Sequence, residues 1–515
     1  MLRYSKYISS LLLVAAIALT GCDKNFESIN TNPNASTNAQ IDYLFTQSQL
    51  KGSYVYDRCY FYTSYLNCGD FIQHFATYKD VSGSGVGDKY GANDFYQGFY
   101  YRYIYTNAIN TVGEVIRNAK DPALVNKVAV ARIWKVLLMQ RITDLYGDVP
   151  YTDAGKGYTD ANFTPKYDKQ SDIYAGLLSE LDAAIKSFDA SKPTFGSADL
   201  IYKGNIAQWQ KFGYSLMLRV AMRMTKIDAA TAQTWAQKAI TGGVILTDAD
   251  NAIVKYTNGP QTYNDNPVAY ELVGQDYVPG AYGDANTEGG KFSKTFIDFL
   301  KNNNDPRLNV VAIVWNNKNP DTTTALQQGL PNGLPVKPNA FASYSEPNPN
   351  TILQYNAPLL VLTAAETNLL LSEAALRKWT SGDPGLYYKT GVETALRNWG
   401  LFGAAGVIAP ARITAYSTAQ ALNQAASTDA QMNQIHSQFW VALLLDEQEA
   451  YANWRRTGYP QLTPVNYPGN NTGGTIPRRF PYSQPEAGMN AINYNQAVSR
   501  QGPDLLTTRI WWDKQ

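Results

Sequence analysis

From residue 41 to about residue 242, apolar residues recur every three or four positions with few interruptions, which commits this half of the chain to helices packed on helices. The spacing predicts helices over about 41–78, 94–119, 122–145, 171–188, 205–226 and 229–241. Asp121-Pro122 is a good helix start, because aspartate caps free N–H groups and proline fits the first turn. Gly242-Gly243 supplies a stop. Residues 244–350 break the pattern: asparagine, glycine and proline crowd around β-like runs at 252–256 and 310–315 and one helix at about 291–303. A loop-rich stretch of that length inside a compact chain is usually functional. Helix returns over about 363–379, 385–399 and 431–457, and the tail is again irregular. Helix pairs flanking such an insertion predict a mostly α fold, an α-solenoid that carries an elaborated face. The pairs lack the tetratricopeptide consensus, so their repeats are degenerate.

The N-terminus says where this domain works. MLRYSKYISSLLLVAAIALTGC sets two cations, Arg3 and Lys6, before a short apolar run that closes on Leu19-Thr20-Gly21-Cys22. The layout is that of a secretory signal over residues 1–21, and the run is shorter than the roughly 20 residues a membrane span needs. Leucine, a small residue and glycine immediately before cysteine look like a bacterial lipobox. That implies cleavage after Gly21 and acylation of Cys22. Several acyl chains, each gaining about 0.8 kcal/mol per buried CH₂, make a firm anchor. Residues 22–40, polar and asparagine-rich, then read as a lipidated flexible tether, and 41–515 as the folded domain.

Composition excludes several functions. The 44 Lys and Arg balance 43 Asp and Glu, so no basic footprint argues for nucleic acid. Only two histidines, His74 and His436, are present, and no cysteine cluster has zinc spacing, which argues against a histidine-rich or zinc site. Calcium is not readable, since no EF-hand spacing occurs. No cofactor is implied beyond the lipid on Cys22. Cys59 and Cys68 fall within an expected helix, nine residues or about 13 Å apart, too far for a disulfide. Two free, buried thiols are expected.

Several segments carry more than periodicity. Trp440, Leu444, Glu447, Tyr451 and Trp454 form one helical stripe that ends in WRRTGYP, where Arg455 and Arg456 meet the negative end of the helix dipole. Arg219 and Arg223 lie one turn apart among apolar neighbours and need carboxylates from another helix, with Glu373 in LLLSEAALR a reasonable partner. Arg219, Arg223, Glu373, Arg455 and Arg456 are therefore expected in structural ion pairs. DLYGDVPY at 144–151, NDPRL at 304–308, IPRRFPY at 476–482 and Trp511-Trp512-Asp513 complete the set.

With the lipobox and its CDKNFE start, these segments resemble, in order and over nearly the whole length, the SusD/RagB family of Bacteroidetes surface lipoproteins. The resemblance implies four tetratricopeptide-like helix pairs with loops and short strands packed on them. It also implies a non-catalytic nutrient-binding protein at the outer membrane, facing outward and lipid-anchored. Such a protein captures an oligosaccharide, or a peptide, and passes it to a TonB-dependent barrel of the SusC type. A surface adhesin or scaffold with the same core is the alternative. A glycoside hydrolase built on Asp144 and Asp148 is a more distant one, and no GxSxG, HExxH or phosphate loop occurs. In the family the glycan site lies on loops over the scaffold, including the one after the first long helix. By position and chemistry that implies Gln73, His74, Tyr78, Asp88 and Tyr90, with Tyr282 and Trp315 of the insertion as an opposite wall. Aromatic faces suit the C–H faces of sugars, and amides and carboxylates suit their hydroxyls.

Overall fold

The computed structural model describes residues 41–53, 58–79, 87–284 and 289–514, so Cys22, the signal and the tether lie outside the described residues. Helices of eight or more residues are numbered here. Four pairs form the scaffold: α1 (Ile41–Gly52) with α2 (Asn110–Asn118), α3 (Val125–Tyr146) with α4 (Gln170–Lys186), α5 (Ile206–Arg223) with α6 (Ala229–Gly242), and α9 (Ala364–Leu376) with α10 (Pro384–Arg397). Each pair packs on the next, α2 on α3, α4 on α5 and α5 on α9, which is the solenoid expected from the sequence. The capping signals work as read: the Asp121 side chain accepts from the Ala123 N–H, and Gly243 takes φ +98° just past α6.

Between α6 and α9 lie β2 (Ala252–Val254), α7 (Pro267–Gln275), β3 (Gly290–Phe292), α8 (Lys294–Asn302), β4 (Ala312–Asn316), β5 (Asn319–Asp321), β6 (Glu346–Pro347) and β7 (Leu359–Leu362). The early strand β1 (Phe75–Thr77) pairs antiparallel with β3, and β2 with β7, while β4 is flanked by β5 and β6. The insertion is thus stitched at one end to the loop after the first helices and at the other to the start of α9. The sequence reading missed α7, the short strands β1, β3, β5, β6 and β7, and two helices outside the insertion, α11 (Pro410–Ala419) and α14 (Ala491–Gln501).

Three expected helices are interrupted. That over 94–119 runs as Asp94–Gln97, Phe99–Ile104, a π-helical turn Tyr105–Ile109 and then α2. That over 41–78 ends at Gly52; a π-helical segment, Tyr60–Gly69, follows before β1. The tryptophan stripe is split into α12 (Thr428–Ala442) and α13 (Glu447–Thr457), and Leu445 takes φ +80° between them. VALLLDEQ holds no glycine or proline, so the break is tertiary in origin. Asp446 is drawn to Arg141 at 2.8 Å, and the Glu447 carboxylate accepts the Leu445 N–H at 2.8 Å. Cys59 and Cys68 are free and buried, as expected.

The core is crossed by buried charge. Arg219 is bidentate to Glu366, with both bonds at 2.6 Å, and Arg223 bridges Asp144 (3.2 Å) and Glu449 (2.5 Å). Glu373, the expected partner of these arginines, instead takes Arg456 at 2.7 Å, with Arg377 and His436 beside it. Glu366 and Glu373 are two turns apart on one face of α9, about 10 Å along the axis; how α9 is slid against α5 decides which of them the arginines meet. Arg455 is a further correction. Among the described residues it has no carboxylate; it donates to the Arg478 carbonyl and lies over the rings of Tyr451 (4.0 Å) and Trp512 (4.9 Å). Asp144 also accepts from Tyr174, Gln140 and Trp512. Asp148 is held by Arg500 at 3.0 Å and the Gln170 N–H at 2.9 Å, so both acids of the hydrolase alternative serve as structural anchors.

Candidate functional site

The seven expected ligand residues divide into two groups. Gln73, His74, Asp88 and Tyr90 are interior. Pairing of β1 with β3 ties this loop to the insertion, and each of the four side chains bonds within the protein, though His74 Nδ1 has no partner. Gln73 donates to the Thr463 carbonyl (2.6 Å) and accepts from Thr295 (2.7 Å). The His74 ring bonds the Trp440 carbonyl at 3.1 Å, and burial holds its pKa down to about 3. Asp88 faces Lys89 (2.9 Å) and accepts the Gly333 N–H (2.8 Å), tying residues 87–89 to the insertion. The Tyr90 hydroxyl accepts from the Val465 N–H, and burial pushes its pKa up. None of these four presents a face to solvent.

Tyr78, Tyr282 and Trp315 are different: all three reach the surface, Tyr282 against Trp315, with Tyr78 linked to them through Phe341 and Lys291. Trp315 is half-buried on β4, and the Tyr282 ring, 37% exposed, meets its edge at 5.4 Å. The hairpin explains the display. Asn316 pairs with Asn319, so Asn317 and Lys318 alone make the turn, and both have positive φ (48° and 65°), the signature of a two-residue turn that matches strand twist. The turn carries Lys318 over the Tyr282 ring, at 5.6 Å.

Behind this pair lies a rigid support. In the β4–β6 register Ile313 faces Glu346, so Glu346 is diagonal to Trp315 on the same face of the sheet. One Glu346 oxygen accepts from the Trp315 indole N–H at 2.5 Å, and the other accepts from Lys291 at 2.6 Å. Lys291 also donates to the Gly283 carbonyl (2.9 Å), which pins the backbone next to Tyr282, and its ammonium lies 4.7 Å from the Phe341 ring. Phe341 in turn meets Tyr78 edge-on at 4.8 Å. Lys291 and Glu346 are almost wholly buried. They hold the tryptophan and the Tyr282 loop in one orientation before any ligand arrives, which lowers the entropy cost of binding. Sequence reasoning found the rings but missed Lys291, Glu346, Phe341 and Lys318. The first two are 55 residues apart, and no local pattern joins them.

The carboxylate behind Trp315, Glu346, is committed to Lys291 and the indole. Among the described residues no group of three or more His, Cys, Asp or Glu side chains is arranged to hold a metal ion. No described helix is long and apolar enough to cross a membrane.

Comparison with known proteins places this architecture. The SusD-like family model, described as starch-binding associating with the outer membrane, matches residues 33–483. The chain belongs to this SusD-like family. Among solved structures it is similar to a chitin-binding protein at 33% identity, covering 92% of this chain and 100% of that one with a TM-score of 0.80. A chitin-binding SusD homolog from Flavobacterium johnsoniae matches at 26% identity, covering 93% and 99%, with a TM-score of 0.77. A SusD homolog from Bacteroides uniformis matches at 27% identity, covering 92% and 99%, with a TM-score of 0.76. The comparison with curated proteins gives no match.

Proposed function

We propose that this protein captures a glycan at the cell surface on the wall formed by Tyr78, Tyr282 and Trp315. It passes the glycan, without cleaving it, to a TonB-dependent outer-membrane barrel of the SusC type. The observation that carries this is the Tyr282–Trp315 pair, exposed on one side and fixed on the other by Glu346 and Lys291. A fixed aromatic edge with an adjacent hydrogen-bonding rim suits a pyranose face and its hydroxyls. Family membership and the two chitin-binding relatives support a polysaccharide over a peptide as the nutrient, and chito-oligosaccharide is the first ligand to test. A delivery protein must release its cargo, so dissociation constants from micromolar to millimolar are appropriate, about 4–8 kcal/mol of binding free energy.

Anchoring is through lipid on Cys22, on the outward face of the outer membrane. Calorimetric titration of chito-oligosaccharides into the mature chain, followed by product analysis, tests binding and non-catalysis together. Cleaved product dependent on a carboxylate of this chain overturns the binding role. Co-purification of a large barrel protein with tagged protein tests delivery, and isolation of the monomer alone favours an adhesin. Cys22→Ala should release the protein from membranes on fractionation.

A further inference from the structure

A second pair of surface rings lies outside the glycan wall, toward the end of α7 away from the Tyr282 loop. Tyr270, on the first turn of α7, is 44% exposed, and its ring meets that of half-buried Tyr355 at 6.2 Å and 51°. Asn266, the N-cap of α7, holds the two together. Its backbone N–H donates to the Tyr355 carbonyl at 2.7 Å and its side-chain amide to the Ala357 carbonyl at 3.0 Å, while its own carbonyl accepts the Tyr270 N–H at 2.9 Å. The segment that carries Tyr355 is thereby clasped to the first turn of α7, and the rings are set before a ligand arrives.

An independent observation beside the rings points to a ligand. Asp265, immediately before Asn266, is only 8% exposed. Other acids buried to that degree are satisfied: Glu346 by Lys291, Asp446 by Arg141 and Glu447 by the Leu445 N–H. Among the described residues the Asp265 carboxylate receives no cation and no N–H; burial is the one influence on it and pushes its pKa up. Its Oδ1 is enclosed without a partner, and Oδ2 is the oxygen left open. The carboxyl lies close enough to the rings for its charge to act on the Tyr355 hydroxyl, whose pKa is raised by burial first, then by Asp265 and Tyr270.

A nearly buried carboxylate is costly unless a cation and a donor reach it. A sugar hydroxyl would supply the donor and leave the charge uncompensated; an ammonium supplies both in one charge-assisted bond. The rings beside it suit the C–H face of a pyranose and, at close range, a cation.

We infer that Tyr270, Tyr355 and Asp265 form a second saccharide platform, separate from the aromatic wall and selective for a sugar that carries a free amine, such as glucosamine. The pyranose face stacks on the two rings, and the ammonium donates to Asp265 Oδ2. This rests on the saccharide reading of the cargo but on none of the wall's residues. The test is calorimetric titration of the mature chain with tri-glucosamine and with its N-acetylated counterpart, at pH 6, where the sugar amine is protonated. The proteins are wild type, Trp315→Ala, and Trp315→Ala combined with Asp265→Asn or with Tyr270→Ala. Asp265 accepts no hydrogen bond in the fold and Tyr270 is exposed, so the combined variants should melt within a few degrees of Trp315→Ala. Trp315→Ala should still bind tri-glucosamine, and each added substitution should weaken that binding tenfold or more. The acetylated trimer should lose affinity on Trp315→Ala alone, so the wall and the platform fail separately. Absence of tri-glucosamine binding to Trp315→Ala, or binding that Asp265→Asn or Tyr270→Ala leaves unchanged, would overturn the platform.

Discussion

The buried ionic lattice of the scaffold and the aromatic wall of the insertion both place charge against aromatic rings, to opposite ends. In the scaffold, Arg219, Arg223 and Arg456 are enclosed, and carboxylates from other helices meet each of them. In the wall, the buried pair Lys291–Glu346 points its bonding capacity outward, into the indole N–H and the Tyr282 loop, and leaves ring surface exposed. Charge enclosed on every side fixes helix against helix. Charge enclosed on one side fixes a binding surface. Identity of residue therefore says less about role than the side on which a residue is left unfilled.

That contrast can be broken first where it is strongest. Replacing Arg223 by alanine leaves Asp144 with no cation and Glu449 with only Arg219 at 3.7 Å, and an uncompensated buried charge costs about 3–5 kcal/mol. Urea denaturation at pH 7 should show that loss or no folded protein; a loss under about 1 kcal/mol would mean the lattice does not hold the helices.

Glu447 sharpens the same point, as a scaffold carboxyl buried without an arginine. Burial raises its pKa from 4.5 to about 7. Because the folded value is the raised one, the contribution of Glu447 to stability is fully present below pH 4.5 and is lost as pH rises toward 7, where the unfolded chain ionises first. Glu447→Gln keeps the acceptor for the Leu445 N–H and should stabilise by roughly 3 kcal/mol at pH 8 and by nothing at pH 4. Equal stability of the two proteins at pH 8 would remove the assignment.

On the wall side, Trp315→Ala should weaken chito-oligosaccharide binding tenfold or more, about 1.4 kcal/mol, with the melting temperature shifted by only a few degrees. A collapse in stability comparable to that of a core tryptophan, about 3–5 kcal/mol, would instead class Trp315 with the scaffold. The smallest expected effect is at the hairpin tip. Lys318→Ala removes a cation from over the exposed Tyr282 ring, a contact worth about 0.5–1 kcal/mol, and should change affinity only a few-fold in the same titration.

Much of the scaffold was legible because its signals are local. Asp121 caps, Gly243 stops, and apolar positions three and four apart mark the faces that became α3, α4, α5 and α6. The break between α12 and α13 was not legible, since the Trp440–Trp454 stripe runs through it without a flaw; Arg141, some 300 residues earlier, pulls Asp446 out of helical register. Candidate site residues divide for the same reason. Chemistry alone could not separate Tyr90 from Tyr282, both tyrosines on irregular chain with positive φ, until Phe71 and the segment at Val465 and Asn471 packed against Tyr90 and buried it.

What the sequence determined by itself was the kind of molecule: helical pairs with an elaborated insertion, family motifs in order, free thiols, and aromatic rings on the loops. The helices and thiols follow from periodicity, capping and spacing, which act over a turn or two of chain, and the family follows from the resemblance of the motifs. The tertiary structure alone decided which carboxylate met which arginine, which tyrosines kept a face in solvent, and that Glu346 and Lys291 would stand behind Trp315. Those outcomes depend on the slide of one helix against another and on strand register, which are set by packing between residues far apart in the chain.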